Sequence, residues 1–126
     1  MSKERPLIAV VDDEASVRVA LQRLIRAAGL NVKTFPSGIE VLEFIQQQRP
    51  DCVVLDLHMP NVNGFEVQRR LAEVGVRVPV VVITGHDTPE SCARALGGGA
   101  CAYLLKPVDD QMLLDAIAAA IASDVG

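Results

Sequence analysis

The stretch VVLDLHMP, residues 53–60, places three apolar residues before a carboxylate, Asp56, at the point where a buried strand should end. A continuous apolar run, as opposed to an alternating one, marks a strand covered on both faces, the usual situation in a parallel sheet flanked by helices. With its neighbour Cys52 this run is one of five: LIAVV (7–11), NVKTF (31–35), CVVLD (52–56), VVVIT (80–84) and CAYLL (101–105). Helical patterns separate them. Residues 14–28 align Val17, Leu21, Leu24, Ile25 and Ala28 on one face and stop at Gly29. Residues 37–48 open with Ser37 and Glu40 at capping-box spacing and turn Val41, Leu42 and Ile45 inward. Residues 64–74 follow the turn NVNG and present Val67 and Leu71. Residues 88–96 begin with Thr88 as cap and Pro89 in the first turn, and residues 109–122 begin with Asp109 and offer Leu113, Ile117, Ala120 and Ile121. Strand and helix in strict alternation predict an α/β fold, a (βα)5 doubly wound parallel sheet with right-handed crossovers, forming a three-layer sandwich.

Composition narrows the function classes. A chain of 126 residues fits one ordinary domain, which buries roughly two thirds of its unfolded surface, and no linker or repeat interrupts it, so one domain over 1–126 with a core at about 6–122 is expected. The net charge is −4 and the twelve Lys and Arg are scattered, which argues against nucleic-acid binding by this domain. The longest apolar run, AIAAAIA, falls far short of the ~20 residues of a membrane span, and the charged start MSKERPLIAVVDDE is no signal peptide. A cytoplasmic location without membrane attachment is the expectation. Cys52, Cys92 and Cys101 lack CxxC spacing and read as small apolar residues in a reducing compartment. The final SDVG reads as a fraying end or the start of a linker.

In an open parallel sheet, functional groups collect beyond the carboxyl ends of the strands where the strand order reverses. The first strand ends in Asp12 and Asp13 with Glu14 beside them, the third in Asp56, the fourth in Thr84 and the fifth in Lys106. The order 2-1-3-4-5 would make the first and third strands neighbours and crowd their carboxylates. Such crowding is unfavourable unless a cation bridges the acids, and a hard cation with oxygen ligands, Mg2+ above all with Mn2+ as substitute, suits an open rim. Cation, lysine and hydroxyl around one carboxylate describe a site that accepts a phosphoryl group, with Asp56 as nucleophile. Taken singly, each residue is more often structural: an acid as a helix cap, a strand threonine, a solvated lysine. Agreement among four strand ends is what favours the site.

At these residues the chain resembles the receiver domains of two-component response regulators, which share the flavodoxin-like strand order. VVDDE resembles the family's acidic pair, VVLDLHMPNVNGFE its phosphoacceptor segment, VVVITGH its switch-threonine strand and ALGGGACAYLLKPVD its aromatic-to-lysine stretch. The resemblance implies that Asp12 and Asp13 hold Mg2+ together with Asp56 and the backbone carbonyl of His58. It also implies that Asp56 is phosphorylated, that Thr84 and Lys106 bind the phosphoryl oxygens, that Tyr103 follows Thr84, and that Lys106–Pro107 is cis. The implied partners are a sensor histidine kinase or phosphotransfer protein. The implied output surface is the fourth helix, fifth strand and fifth helix, where a second copy would also dock. ITGH and LQRLIRAAG are most similar to the FixJ-like group, whose receivers usually precede a helix-turn-helix output domain, so the chain is expected to be a stand-alone receiver or the front of a longer regulator.

Three other readings stay open at this point. A phosphohydrolase of the haloacid-dehalogenase type also uses an aspartate nucleophile, but on its first strand in a D-x-D pattern; here position 58 is His. An FMN binder would need a phosphate loop where VVDDEAS places acids. A pseudo-receiver would keep the fold and act only as a binding module. Departures from the family pattern are the glycines at 97–99, which predict a fourth helix that ends early or is mobile, and the apolar Cys101 and Ala102 at the entry to the fifth strand. His58 and His86 stand at loop positions lining the pocket, where they could tune phosphoryl arrival and loss, although an exposed loop histidine is more often inert and neither is read as a catalytic base.

Overall fold

The computed structural model describes residues 5–125, with side chains to Ser123. Five strands and five helices alternate: β1 Leu7–Val11, α1 Ala15–Ala27, β2 Asn31–Phe35, α2 Gly38–Gln47, β3 Cys52–Asp56, α3 Gly64–Glu73, β4 Val80–Thr84, α4 Pro89–Gly97, β5 Ala102–Leu105 and α5 Asp110–Val125. The strands form one parallel sheet in the order β2-β1-β3-β4-β5. The reversal therefore falls between β1 and β3, where Ile8 pairs with Cys52 and Val11 with Leu55.

The sheet explains why three of the strand sequences are continuously apolar. On β1, Ile8 and Val10 join Val54, Val81 and Ile83 in a cluster closed by Leu21 and Ile25 of α1 and Leu113, Ile117 and Ala120 of α5. Ala9 and Val11 face the other way, with Val53, Leu55 and Val82, against Val41 and Ile45 of α2, Val67 and Leu71 of α3 and Ala95 of α4. Period-two alternation thus sends neighbouring residues into two different cores, and both must be apolar. The same parity, continued past the strand ends, puts Asp12, Asp56 and Lys106 on the side of α1 and α5. Thr84 and Tyr103 fall on the side of α2, α3 and α4.

Four of the five helix starts, all but that of α1, carry side-chain caps: the Ser37 hydroxyl accepts from Glu40 N at 3.2 Å, Asn63 Oδ1 from Glu66 N at 3.0 Å, Thr88 Oγ1 from Ser91 N at 3.0 Å and Asp109 Oδ2 from Met112 N at 2.9 Å. Some sequence expectations need correction. Ala28, expected on the inward face of α1, is the exposed residue after the helix, because Gly29 at φ +87° has already turned the chain. Cys101 lies outside β5 and is exposed. The expected fraying at SDVG does not begin at Ser123, since α5 runs to Val125; Gly126 lies outside the described residues.

The fourth helix ends at Gly97, with Gly98 capping and Gly99 in the left-handed region at φ +102°. Ala95 is its one fully buried residue, held by Gln68 of α3, whose Nε2 donates to the Ala95 carbonyl at 2.9 Å. Few buried apolar contacts mean a low local opening energy. Amide exchange in α4 is therefore expected to be faster than in α1, which buries Leu21 and Ile25; equal protection in the two helices would contradict this.

Candidate functional site

At the carboxyl ends of β1 and β3 the acids meet. Asp12 is fully buried and Asp56 is 3% exposed, whereas Asp13 and Glu14 are exposed. Local bonds hold this geometry: Asp12 Oδ1 accepts from Glu14 N at 2.9 Å, and Arg18 of α1 donates to the Asp12 carbonyl at 2.8 Å. Carboxylate oxygens of Asp12, Asp13 and Asp56 lie within 4.8 Å of one another. Lys106 reaches across from the end of β5, its Nζ 2.7 Å from Asp12 Oδ2 and 3.5 Å from both Asp56 Oδ1 and Glu14 Oε1. The Lys106–Pro107 peptide bond is cis.

One ammonium does not neutralise this many carboxylates. Burial first, and then the charge of Asp12, push Asp56 up to about 6, against the pull of Lys106 and of the His58 backbone N–H. Burial alone would lower Lys106, but the close contact to Asp12 and the charges of Asp56, Asp12 and Glu14 prevail and hold it above its ordinary value. Asp12 Oδ2 stays buried without an aligned hydrogen-bond donor, the 2.7 Å approach of Lys106 being a charge contact that does not meet hydrogen-bond geometry. A buried, incompletely satisfied carboxylate oxygen inside a three-acid cluster fits the ligand set of a hard divalent cation.

Thr84, fully buried at the end of β4, accepts from His86 N at 3.0 Å through Oγ1. The same oxygen lies 3.1 Å from Nδ1 of His58. His58 thus touches both halves of the site, since its backbone N–H donates to Asp56 Oδ1 at 3.4 Å. The rings of His58 and His86 lie 5.3 Å apart. Tyr103 is partly buried, and its hydroxyl donates to Asp87 Oδ1 at 3.0 Å on the loop between β4 and α4. Burial, with Asp87 behind it, raises the Tyr103 phenol to about 12.

The structure therefore brings Asp12, Asp13, Asp56 and Lys106 into one cluster and sets Thr84 beside it on the next strand. Tyr103 is tied to Asp87. Sequence reading missed Arg18, Asp87 and the imidazole contact to Thr84. Only the two histidines carried a signal, through their loop positions two residues beyond Asp56 and Thr84.

A family model described as the response regulator receiver domain matches residues 8–118. Nodulation protein W of Bradyrhizobium diazoefficiens is 38% identical over 120 residues, 95% of this chain and 53% of that protein. The chain thus spans about half the length of the curated relatives it matches. Among solved structures, the response regulator StyR superimposes with a TM-score of 0.89 at 38% identity, covering 96% of this chain and 61% of that one. A response regulator receiver protein from Burkholderia phymatum superimposes with a TM-score of 0.83 at 45% identity, covering 94% of this chain and 96% of that one.

Proposed function

Because this chain belongs to the response regulator receiver domains, we propose that Asp56 accepts a phosphoryl group from a partner histidine kinase, a phosphotransfer protein or a small phosphodonor in a Mg2+-dependent reaction. The observation that carries this reading is the placement of Asp56: buried at a strand end, with Lys106 at 3.5 Å and the oxygens of Asp12 and Asp13 in the same cluster. Receiver domains are signalling domains, and the chemistry assigned here is limited to the chain's own phosphorylation and dephosphorylation.

A carboxyl at about 6 is mostly ionised at neutral pH, so Asp56 can attack phosphorus while the donor's nitrogen or oxygen leaves. Asp12, Asp13, Asp56 and the His58 carbonyl would hold Mg2+, or Mn2+ in its place, which supplies positive charge to the phosphoryl oxygens. Lys106, held protonated, loses its short contact to Asp12 and pairs with an incoming oxygen. The Thr84 hydroxyl then has an anionic acceptor to move toward, and Tyr103 follows into the space it leaves. The output is the face of α4, β5 and α5, where Leu96, Leu105 and Met112 stand exposed and an output domain, a partner or a second copy of the chain would dock. The chain acts as one receiver unit in the cytoplasm.

Incubation with Mg2+ and acetyl phosphate should give a single acid-labile phosphoryl adduct by intact mass, absent in Asp56→Asn. An unmodified wild type, or an equally modified variant, overturns the assignment. Tyr103 is the sole tyrosine and tryptophan is absent, so tyrosine emission reads the switch directly. Beryllofluoride with Mg2+ should change that emission in wild type and leave it constant in Asp56→Asn.

A further inference from the structure

We infer that His58 is a positioning residue that latches Thr84 in the unphosphorylated arrangement, so that its imidazole opposes the movement of the switch hydroxyl. The inference rests on the reading of Asp56 as phosphoryl acceptor and concerns how readily that site switches.

A threonine hydroxyl has one proton to donate and two lone pairs to fill. In Thr84 one lone pair receives the His86 N–H at 3.0 Å. The imidazole of His58 takes up a second direction through Nδ1 at 3.1 Å. With the ring proton on Nε2, Nδ1 accepts the only proton of the hydroxyl; with the ring proton on Nδ1, the imidazole fills the remaining lone pair. In the first tautomer a hydroxyl that turns toward a phosphoryl oxygen must give up this bond; in the second the hydroxyl proton is free, and the contact is lost when Oγ1 itself moves toward the phosphoryl group.

The ring is held for that task from more than one direction. Its backbone N–H donates to Asp56 Oδ1 at 3.4 Å, which ties the residue to the acceptor. The His86 ring lies against it at 5.3 Å, and the Thr84 hydroxyl beneath is fully buried. His58 itself is exposed, so replacing its side chain leaves both apolar cores intact and keeps the backbone carbonyl assigned to the cation. A ligand that favours the switched arrangement must work against the latch, and its apparent affinity falls accordingly.

The test is isothermal titration of beryllofluoride at saturating Mg2+ on wild type, His58→Leu, His58→Asn, Thr84→Val and His58→Leu with Thr84→Val. Leucine removes the contact, and affinity should rise about fivefold, equivalent to about 1 kcal/mol. Asparagine presents a polar atom near the position of Nδ1, and its affinity should stay within about twofold of wild type on the same scale. Without the Thr84 hydroxyl the leucine substitution should change affinity by less than about twofold, since a residue acting through another has no effect once that other is gone. Unchanged or weaker binding by His58→Leu, an asparagine variant that behaves like leucine, or an equal gain in the Thr84→Val background would each overturn the latch. A wild type that binds no beryllofluoride would instead overturn the assignment of Asp56.

Discussion

Asp56→Asn should raise the unfolding free energy by about 1 to 3 kcal/mol at pH 7.5 without divalent cations, while abolishing phosphoryl acceptance. The site in that condition is destabilising: three carboxylates share a small volume with one ammonium, and Asp56 is displaced from its ordinary 3.8 to about 6. A displacement of that size corresponds to about 3 kcal/mol against the ionised folded protein. That displacement is already net of the attraction to Lys106 at 3.5 Å, which after the substitution keeps its 2.7 Å contact to Asp12. The pH dependence has a definite sign. A carboxyl whose folded value is raised binds more protons in the folded state between 3.8 and about 6, so its contribution to stability is present below 3.8 and lost as pH rises through 6. The advantage of the asparagine variant in urea unfolding should therefore be small near pH 4 and full above pH 6. Saturating Mg2+ should narrow it by binding the folded wild type more tightly. An Asp56→Asn protein no more stable than wild type at neutral pH would refute the electrostatic account.

Gly64→Ala should destabilise the protein by about 2 to 3 kcal/mol and slow phosphoryl acceptance, although alanine is the better helix former. Gly64 begins α3, and its N–H donates to the Leu57 carbonyl at 3.0 Å. A methyl group there would lie 2.7 Å from the Asp56 carbonyl oxygen, 2.8 Å from Leu57 Cα and 2.9 Å from Leu57 Cδ2. Two of these atoms belong to the backbone at Asp56 and Leu57, so the clash is relieved only by moving the end of β3 and the loop that carries His58. Gly97→Ala is the control, because a methyl group there meets nothing within 4 Å. It should be neutral or stabilise by up to about 1 kcal/mol. Thermal and urea unfolding of the two variants, with the rate of labelling by acetyl phosphate, read both effects. Equal stability of the two would contradict the packing argument.

The layer order and most boundaries were legible because they follow from local rules. The apolar runs at 52–56 and 80–84 had to be covered on both faces, and Ser37, Thr88 and Asp109 announce helix starts by chemistry a few residues long. The misplacement of Ala28 is of the same origin, since a periodic pattern continues past the residue where Gly29 has already ended the helix. The acid cluster was legible once the strand order made β1 and β3 neighbours, because each acid sits at a strand end. The partners of its members were not. Lys106 lies closer to Asp12 than to Asp56, Thr84 touches an imidazole 26 residues away, and Tyr103 turns to Asp87. Each of these is settled by a few ångströms of loop geometry that no spacing encodes.

By itself the order of residues determined the alternating strands and helices, the two-sided core, and the set of chemical groups delivered to one rim, because hydrophobic periodicity and capping act over a few neighbours. Tertiary structure decided how those groups share charge and hydrogen bonds. It raised the Asp56 carboxyl, left Asp12 Oδ2 without an aligned donor and set His58 against the Thr84 hydroxyl, because burial and hydrogen bonding depend on distances between segments that meet only when the sheet has formed.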